Sequence, residues 1–135
     1  MTEQAQAIFN ANVLGTLATI NSDGSPWSTP VHVATDGTYV YWFSKETTQH
    51  SMNIAGDNRV SLTLFSPDES KGPKGVYVNG RAELLAGERT DEARAVFTTR
   101  LGILPPIFQV ASAYRLPVGA LQEEKSTSNC WYFYS

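Results

Sequence analysis

Residues 14–44 do not read as helix. Two turn signals, Asn21-Ser-Asp-Gly24 and Thr35-Asp-Gly37, cut them into three short stretches, and Gly-containing turns of this kind join neighbouring strands. Leu14-Gly-Thr-Leu-Ala-Thr-Ile20 is apolar enough to be a largely buried strand. The next stretch alternates, with Trp27, Thr29, Val31 and Val33 on one face and Ser28, Pro30, His32 and Ala34 on the other. Tyr39 to Ser44 makes the third. The spacing predicts a three-stranded antiparallel meander, as in small sheets and barrels.

The same reading extends along the chain. Thr2 is placed to cap a short helix bearing Ala5, Ile8 and Phe9, ended by Asn10 and Asn12. A helix from Thr48 to Ala55 closes on Gly56. Val60, Leu62 and Leu64 alternate in a fourth strand, Ser66 to Lys74 is a polar loop, and Val76 to Leu84 is a long fifth strand that Gly80 allows to bend. A third helix starts at Thr90, carries Ala93, Val96, Phe97 and Leu101, and stops at Gly102 before Pro105-Pro106. Val110–Leu116 and Val118–Gln122 read as further strands. The end, Cys-Trp-Tyr-Phe-Tyr-Ser135, is aromatic enough that it must pack on something. The expected fold is mainly β: one domain over residues 1–135, most simply a small antiparallel barrel with two or three peripheral helices.

Charge narrows the partners. The net charge is −3 and no basic block exists, so no nucleic-acid partner is expected. No apolar run approaches the roughly 20 residues that span a bilayer, so no membrane partner is expected either. One cysteine, Cys130, and an opening Met-Thr-Glu-Gln-Ala-Gln without a signal-peptide layout fit a cytoplasmic protein. With two histidines and no spaced carboxylate cluster, no metal site is expected.

The stretch from Tyr39 to Phe65 holds the main site candidate: strand, polar turn, helix, strand. The turn sets Ser44, Lys45, Thr47 and Thr48 at a helix start, with Gln49, His50 and Ser51 in its first turn. Free N–H groups and the macrodipole attract anions there, which suggests a phosphate anchor for a nucleotide-like cofactor. The same Ser and Thr residues also serve as ordinary caps, so local sequence leaves both readings open. Trp27-Ser-Thr-Pro-Val31 likewise reads either as a strand with an edge proline or as one whose missing ladder bond frees backbone groups for a planar ligand. Asp23 and Asp36 are explained by turn chemistry. No nucleophile elbow, dinucleotide fingerprint or P-loop is present.

Three segments carry a family resemblance. Residues 14–31 are similar to the opening strands of the pyridoxamine 5′-phosphate oxidase-like flavoproteins, the FMN-binding split-barrel superfamily. His50-Ser-Met-Asn-Ile54 followed by Asp57-Asn-Arg-Val-Ser-Leu62 resembles that family's next helix and strand, and Val76-Tyr-Val-Asn-Gly-Arg-Ala-Glu-Leu84 its following long strand. The likeness covers roughly residues 5–85, by the order and spacing of all three segments.

The resemblance implies an antiparallel split β-barrel of Greek-key type and a homodimer with FMN sites at the interface. It sets the flavin near Thr29, Pro30, Val31, Phe43 and Ser44, and the phosphate near Lys45, Thr48, Gln49 and His50. It brings Trp131 to the partner's site. It implies a flavin-dependent oxidoreductase acting on a small molecule, with no catalytic residue singled out. The alternatives in the family are a non-catalytic flavin or haem binder, with His32 or His50 as the available haem ligand, and a deazaflavin-dependent reductase. True pyridoxamine phosphate oxidases carry a basic pair where this chain has Gln49 and His50, and an Arg-x-His signature absent here. Pyridoxamine phosphate oxidation is therefore not expected.

Overall fold

The computed structural model describes residues 1–66, 74–126 and 130–135. Its first helix, α1 (Glu3–Ala11), is capped by Thr2, whose hydroxyl accepts from the Ala5 amide, and it buries Ala5, Ile8 and Phe9. Strands β1 (Leu14–Ile20) and β2 (Pro26–His32) form a hairpin with Leu14 opposite His32 and Ile20 opposite Pro26. Its turn holds Gly24 at φ 85°, a left-handed conformation that glycine adopts without a Cβ penalty. Asp23 accepts from the Ser25 amide at 3.0 Å.

The expected meander does not continue. Val33 and Ala34 are both buried, so the alternation of β2 breaks. The chain then turns into β3 (Ala34–Thr35), which pairs with β4 (Tyr39–Ser44) in a different sheet. Helix α2 (Gln49–Gly56) follows, then β5 (Arg59–Phe65) and β6 (Gly75–Arg81). The expected Ser66–Lys74 loop falls largely outside the described residues. The expected long strand to Leu84 is also divided. At Ala82, whose amide donates to the Asn58 carbonyl, the chain leaves β6 and enters β7 (Glu83–Leu84) in the second sheet. Gly80 sits just before this corner, and a Cβ there would lie 2.9 Å from Leu116 Cδ1.

Helix α3 (Glu88–Leu101) begins two residues ahead of Thr90 and ends on Gly102 at φ 79°. The strands after it are shifted from expectation. Residues Pro106–Gln109 form a 3₁₀ turn, so β8 runs from Ser112 to Pro117. Residues 118–121 turn on the Thr38 carbonyl, which accepts from the Val118 and Gly119 amides. They are followed by β9 (Gln122–Lys125) and β10 (Cys130–Tyr134).

The sheet orders are β2-β1-β5-β6-β10-β9 and β3-β4-β8-β7. Two segments, β2–β3 and β6–β7, pass from one sheet to the other and close the split barrel. All pairs are antiparallel except β10 with β6, so the larger sheet is mixed rather than purely antiparallel. The aromatic tail is β10, which places Trp131 opposite Val76 and Phe133 opposite Val78. These residues join Leu17, Trp42, Leu62, Tyr114 and α1 in the main core. A second core lies under α3, where Tyr41, Phe97, Phe108 and Ala113 meet. No helix among the described residues is long and apolar enough to cross a membrane.

Candidate functional site

Thr48 fixes the start of α2. It is extended (φ −69°, ψ 154°), and its Oγ1 accepts from the Ser51 amide at 3.3 Å. The same hydroxyl lies 2.9 Å from the Lys45 carbonyl, to which it donates, and the Met52 amide donates to the Thr48 carbonyl. These bonds leave the Gln49 and His50 amides without a partner among the described residues. They point out of the positive end of the helix, where an anion is stabilised. Lys45 is exposed beside them and forms no ion pair among the described residues.

The side chains of Gln49 and His50 are engaged within the chain. His50 is buried, with Nε2 2.7 Å from Ser44 Oγ and 3.4 Å from Thr48 Oγ1. Burial lowers its pKa below the usual imidazole value of 6.5, because an interior site penalises the charged ring. Gln49 Nε2 donates to Asn53 Oδ1 at 2.9 Å and lies 3.4 Å from Asn21 Oδ1. Among the described residues, the two amides and Lys45 are therefore left to meet an anion.

Asn53, on α2, fastens the helix to the sheet. It is buried, and its Nδ2 donates to Thr19 Oγ1 (3.0 Å) and Asn21 Oδ1 (2.8 Å). Sequence reading did not single it out. The available signal was an amide side chain within a short helix, a place where Asn is a poor former and stays for another reason. Tyr114 was missed as well, and it meets Ser51, which the sequence places in the first turn of the helix. Ser51 Oγ lies 2.7 Å from Thr48 Oγ1 and is hydrogen-bonded to the Tyr114 hydroxyl, whose pKa is raised by burial.

Two open backbone edges face this helix start. Strand β2 is the last of its sheet, with Pro30 opposite Thr16. On β4, the flanking β3 reaches only to Ala34 opposite Tyr41, so among the described residues no strand pairs with Trp42, Phe43 and Ser44 on that side. Strands β2 and β4 approach each other, and α2 touches β2. Thr29, Pro30 and Val31 on β2 and Ser44, Lys45, Thr48, Gln49 and His50 around the start of α2 therefore lie on adjoining elements, with the Val31 side chain in the core. Phe43 joins them by its backbone alone, because its ring stacks on Phe108 at 4.9 Å beneath α3. Trp131 is not part of this region within one chain. Strand β10 is separated from β2 by β1, β5 and β6, and the Trp131 side chain is in the core.

The arrangement offers two amides and one ammonium for an anion, and two strand edges for a planar group. It presents no acid–base pair. No His, Cys, Asp or Glu cluster among the described residues could hold a metal ion.

Comparison with known proteins agrees with this architecture. The chain is similar to the structure of a conserved hypothetical protein from Mycobacterium tuberculosis (28% identity, TM-score 0.71, covering 86% of this chain and 79% of that one). It is similar to a haem-binding protein from Mycobacterium smegmatis (25% identity, TM-score 0.71, 84% of this chain), of which it spans about half the length, 49%. It shares its fold with an FAD-binding protein from Mesorhizobium loti (23% identity, TM-score 0.65, 85% of this chain and 88% of that one). Among curated proteins nothing matches the chain. The family model described as pyridoxamine 5′-phosphate oxidase matches residues 1–116. Split barrel and family model together place this chain in the pyridoxamine 5′-phosphate oxidase family.

Proposed function

We propose that the chain binds FMN and serves as a flavin-dependent oxidoreductase on a small-molecule substrate. The observation that carries this reading is that the Gln49 and His50 amides and Lys45 have no partner among the described residues and stand beside the edges of β2 and β4. FMN supplies the hydride or electron transfer chemistry when bound. The amides and Lys45 hold its phosphate, and Thr29, Pro30, Val31 and the Phe43–Ser44 backbone border its ring. His50 acts from behind: as a neutral ring bonded to Ser44, it fixes the last residue of β4 against the first turn of α2.

The open side of this region is where a second copy sits in our reading, giving a homodimer with a site at each interface. Trp27 on β2 and Leu14 on β1 are 43% and 49% exposed in the single chain, apolar surface suited to such a contact.

A haem-binding role is the second reading, favoured by the likeness to the mycobacterial haem-binding protein. His50 Nε2 is taken by Ser44, so exposed His32 on β2 is the residue that would hold the haem iron. A deazaflavin is the weaker choice, because Lys45 alone gives little positive charge for its long anionic tail.

The absorbance of freshly purified protein, with added FMN if colourless, separates these readings. Flavin bands, and their bleaching by a reduced nicotinamide under anaerobic conditions, support the oxidoreductase. A Soret band lost in His32→Ala supports haem. A colourless protein that takes up neither group overturns both.

A further inference from the structure

A second concavity lies on the other flank of α2. It is a cleft of about 460 Å³ between the helix, the β6–β7 corner and β8, within the size range of small-molecule sites. Nothing in the flavin reading uses it. One end carries Arg81 with Asp57 beside it, and the other carries Glu46.

At one end is Arg81. One guanidinium nitrogen donates to Asn58 Oδ1 at 2.9 Å, and no carboxylate pairs with it among the described residues. Asp57, the nearby acid, is already held by Arg59 through bonds of 3.0 and 2.7 Å. Among the described residues Arg81 thus keeps most of its five donors free, in the planar fork that fits a carboxylate. At the other end is Glu46. Its Oε2 accepts from the Ser112 hydroxyl at 2.7 Å, and no cation pairs with it among the described residues.

The middle is mixed. Ile54, Ala82 and Leu84 give it an apolar wall, and Leu84 is 51% exposed. The Ser51 and Tyr114 side chains line the opposite part. Glu46 precedes α2 and Asn58 follows it, so the charges stand about one helix length apart, roughly 12 Å for eight residues. That is too far for an α-amino acid to bridge. At roughly 1.2 Å per bond of extended chain the span corresponds to about ten bonds, so with a hydrogen-bonded gap at each end it accepts a spacer of up to about eight bonds.

We propose that this cleft binds an elongated small molecule with a carboxylate at one end and an ammonium at the other, Arg81 taking the carboxylate and Glu46 the ammonium. The site is independent of the flavin reading, and its test uses the full chain with no flavin added. The probes are 8-aminooctanoate, octanoate and octylamine, titrated by calorimetry and by amide chemical-shift mapping. The expected result is tightest binding of 8-aminooctanoate, with shifts centred on Ser51, Asn58 and Arg81. Arg81→Gln weakens both carboxylates at least tenfold and leaves octylamine unchanged. Glu46→Gln removes the advantage of 8-aminooctanoate over octanoate. Circular dichroism establishes that both variants are folded. Equal affinity for all three probes, binding of none, shifts that map elsewhere, or an Arg81→Gln variant that binds like the parent overturns the proposal.

Discussion

His50 Nε2 lies 2.7 Å from Ser44 Oγ, across the turn that joins β4 to α2. The contact ties the end of a strand to the first turn of a helix, and its strength depends on which protons are present. Burial lowers the His50 pKa below 6.5. The folded state therefore resists protonating this ring more than the unfolded state does. The stabilising contribution is complete above the unfolded value and declines as pH falls through 6.5 toward the lower folded value. Thermal melts between pH 7.5 and 5 should show a loss of stability in the parent that is reduced in His50→Gln. Equal pH profiles would show that His50 does not carry the effect. At neutral pH, Ser44→Ala leaves a buried ring nitrogen short of its main partner and should cost about 1–3 kcal/mol in urea unfolding.

Lys45→Ala tests the anion site directly. The variant should unfold like the parent, because the side chain is exposed and unpaired among the described residues. FMN affinity should fall by a charge-assisted contact, at most about 1.5–3 kcal/mol. Riboflavin, which lacks the phosphate, should bind parent and variant alike. An equal loss for both ligands would move the phosphate elsewhere.

Asn53→Ala should act through position rather than contact. It removes the bonds from α2 to Thr19 and Asn21 and leaves the buried Thr19 hydroxyl without that donor. We expect about 1–3 kcal/mol of destabilisation. FMN affinity should fall as well, because the Gln49 and His50 amides are then less firmly aimed. Calorimetric titration alongside denaturant unfolding separates the two effects, and a stable variant with full affinity would count against the anchor role.

Trp131→Ala removes a core indole that is 5% exposed and should cost about 3–5 kcal/mol. Trp131→Phe should retain the fold. If its FMN affinity matches the parent's, Trp131 serves the core alone. A selective loss of affinity would give it a place at the partner's site.

Much of the architecture was legible from local chemistry. The Asn21–Gly24 turn, the Thr48 cap and the Gly102 stop each specify a conformation through their own side chains or lack of one, and each appears where the sequence puts it. The sheet changes at Val33 and Ala82 were not legible. Two consecutive buried residues at 33–34 are compatible with a continuous strand until a second sheet exists to receive one of them. The parallel pairing of β10 with β6 was hidden for a related reason, since strand direction is decided by the connection and not by the residues in the strand. At the site, the sequence supplied the helix start but not the direction of its side chains. Gln49 and His50 look outward in a list of residues. In the fold, His50 turns in to Ser44, Gln49 stays exposed but is bonded to Asn53, and the backbone amides are left as donors among the described residues.

The position of β10 bears on how this protein is made. Strands β1, β2, β5 and β6 are contiguous enough in sequence to pair early, but the flank of β6 that receives Trp131 and Phe133 stays uncovered while the chain builds α3, β8 and β9. During that interval Val76 and Val78 lie next to an unfilled sheet edge, the kind of surface that draws in other nascent chains. A fragment ending before Cys130 remains in that condition. Recombinant truncations at the C-terminal end should therefore be recovered in inclusion bodies, and chaperone dependence should be greatest just before β10 emerges from the ribosome.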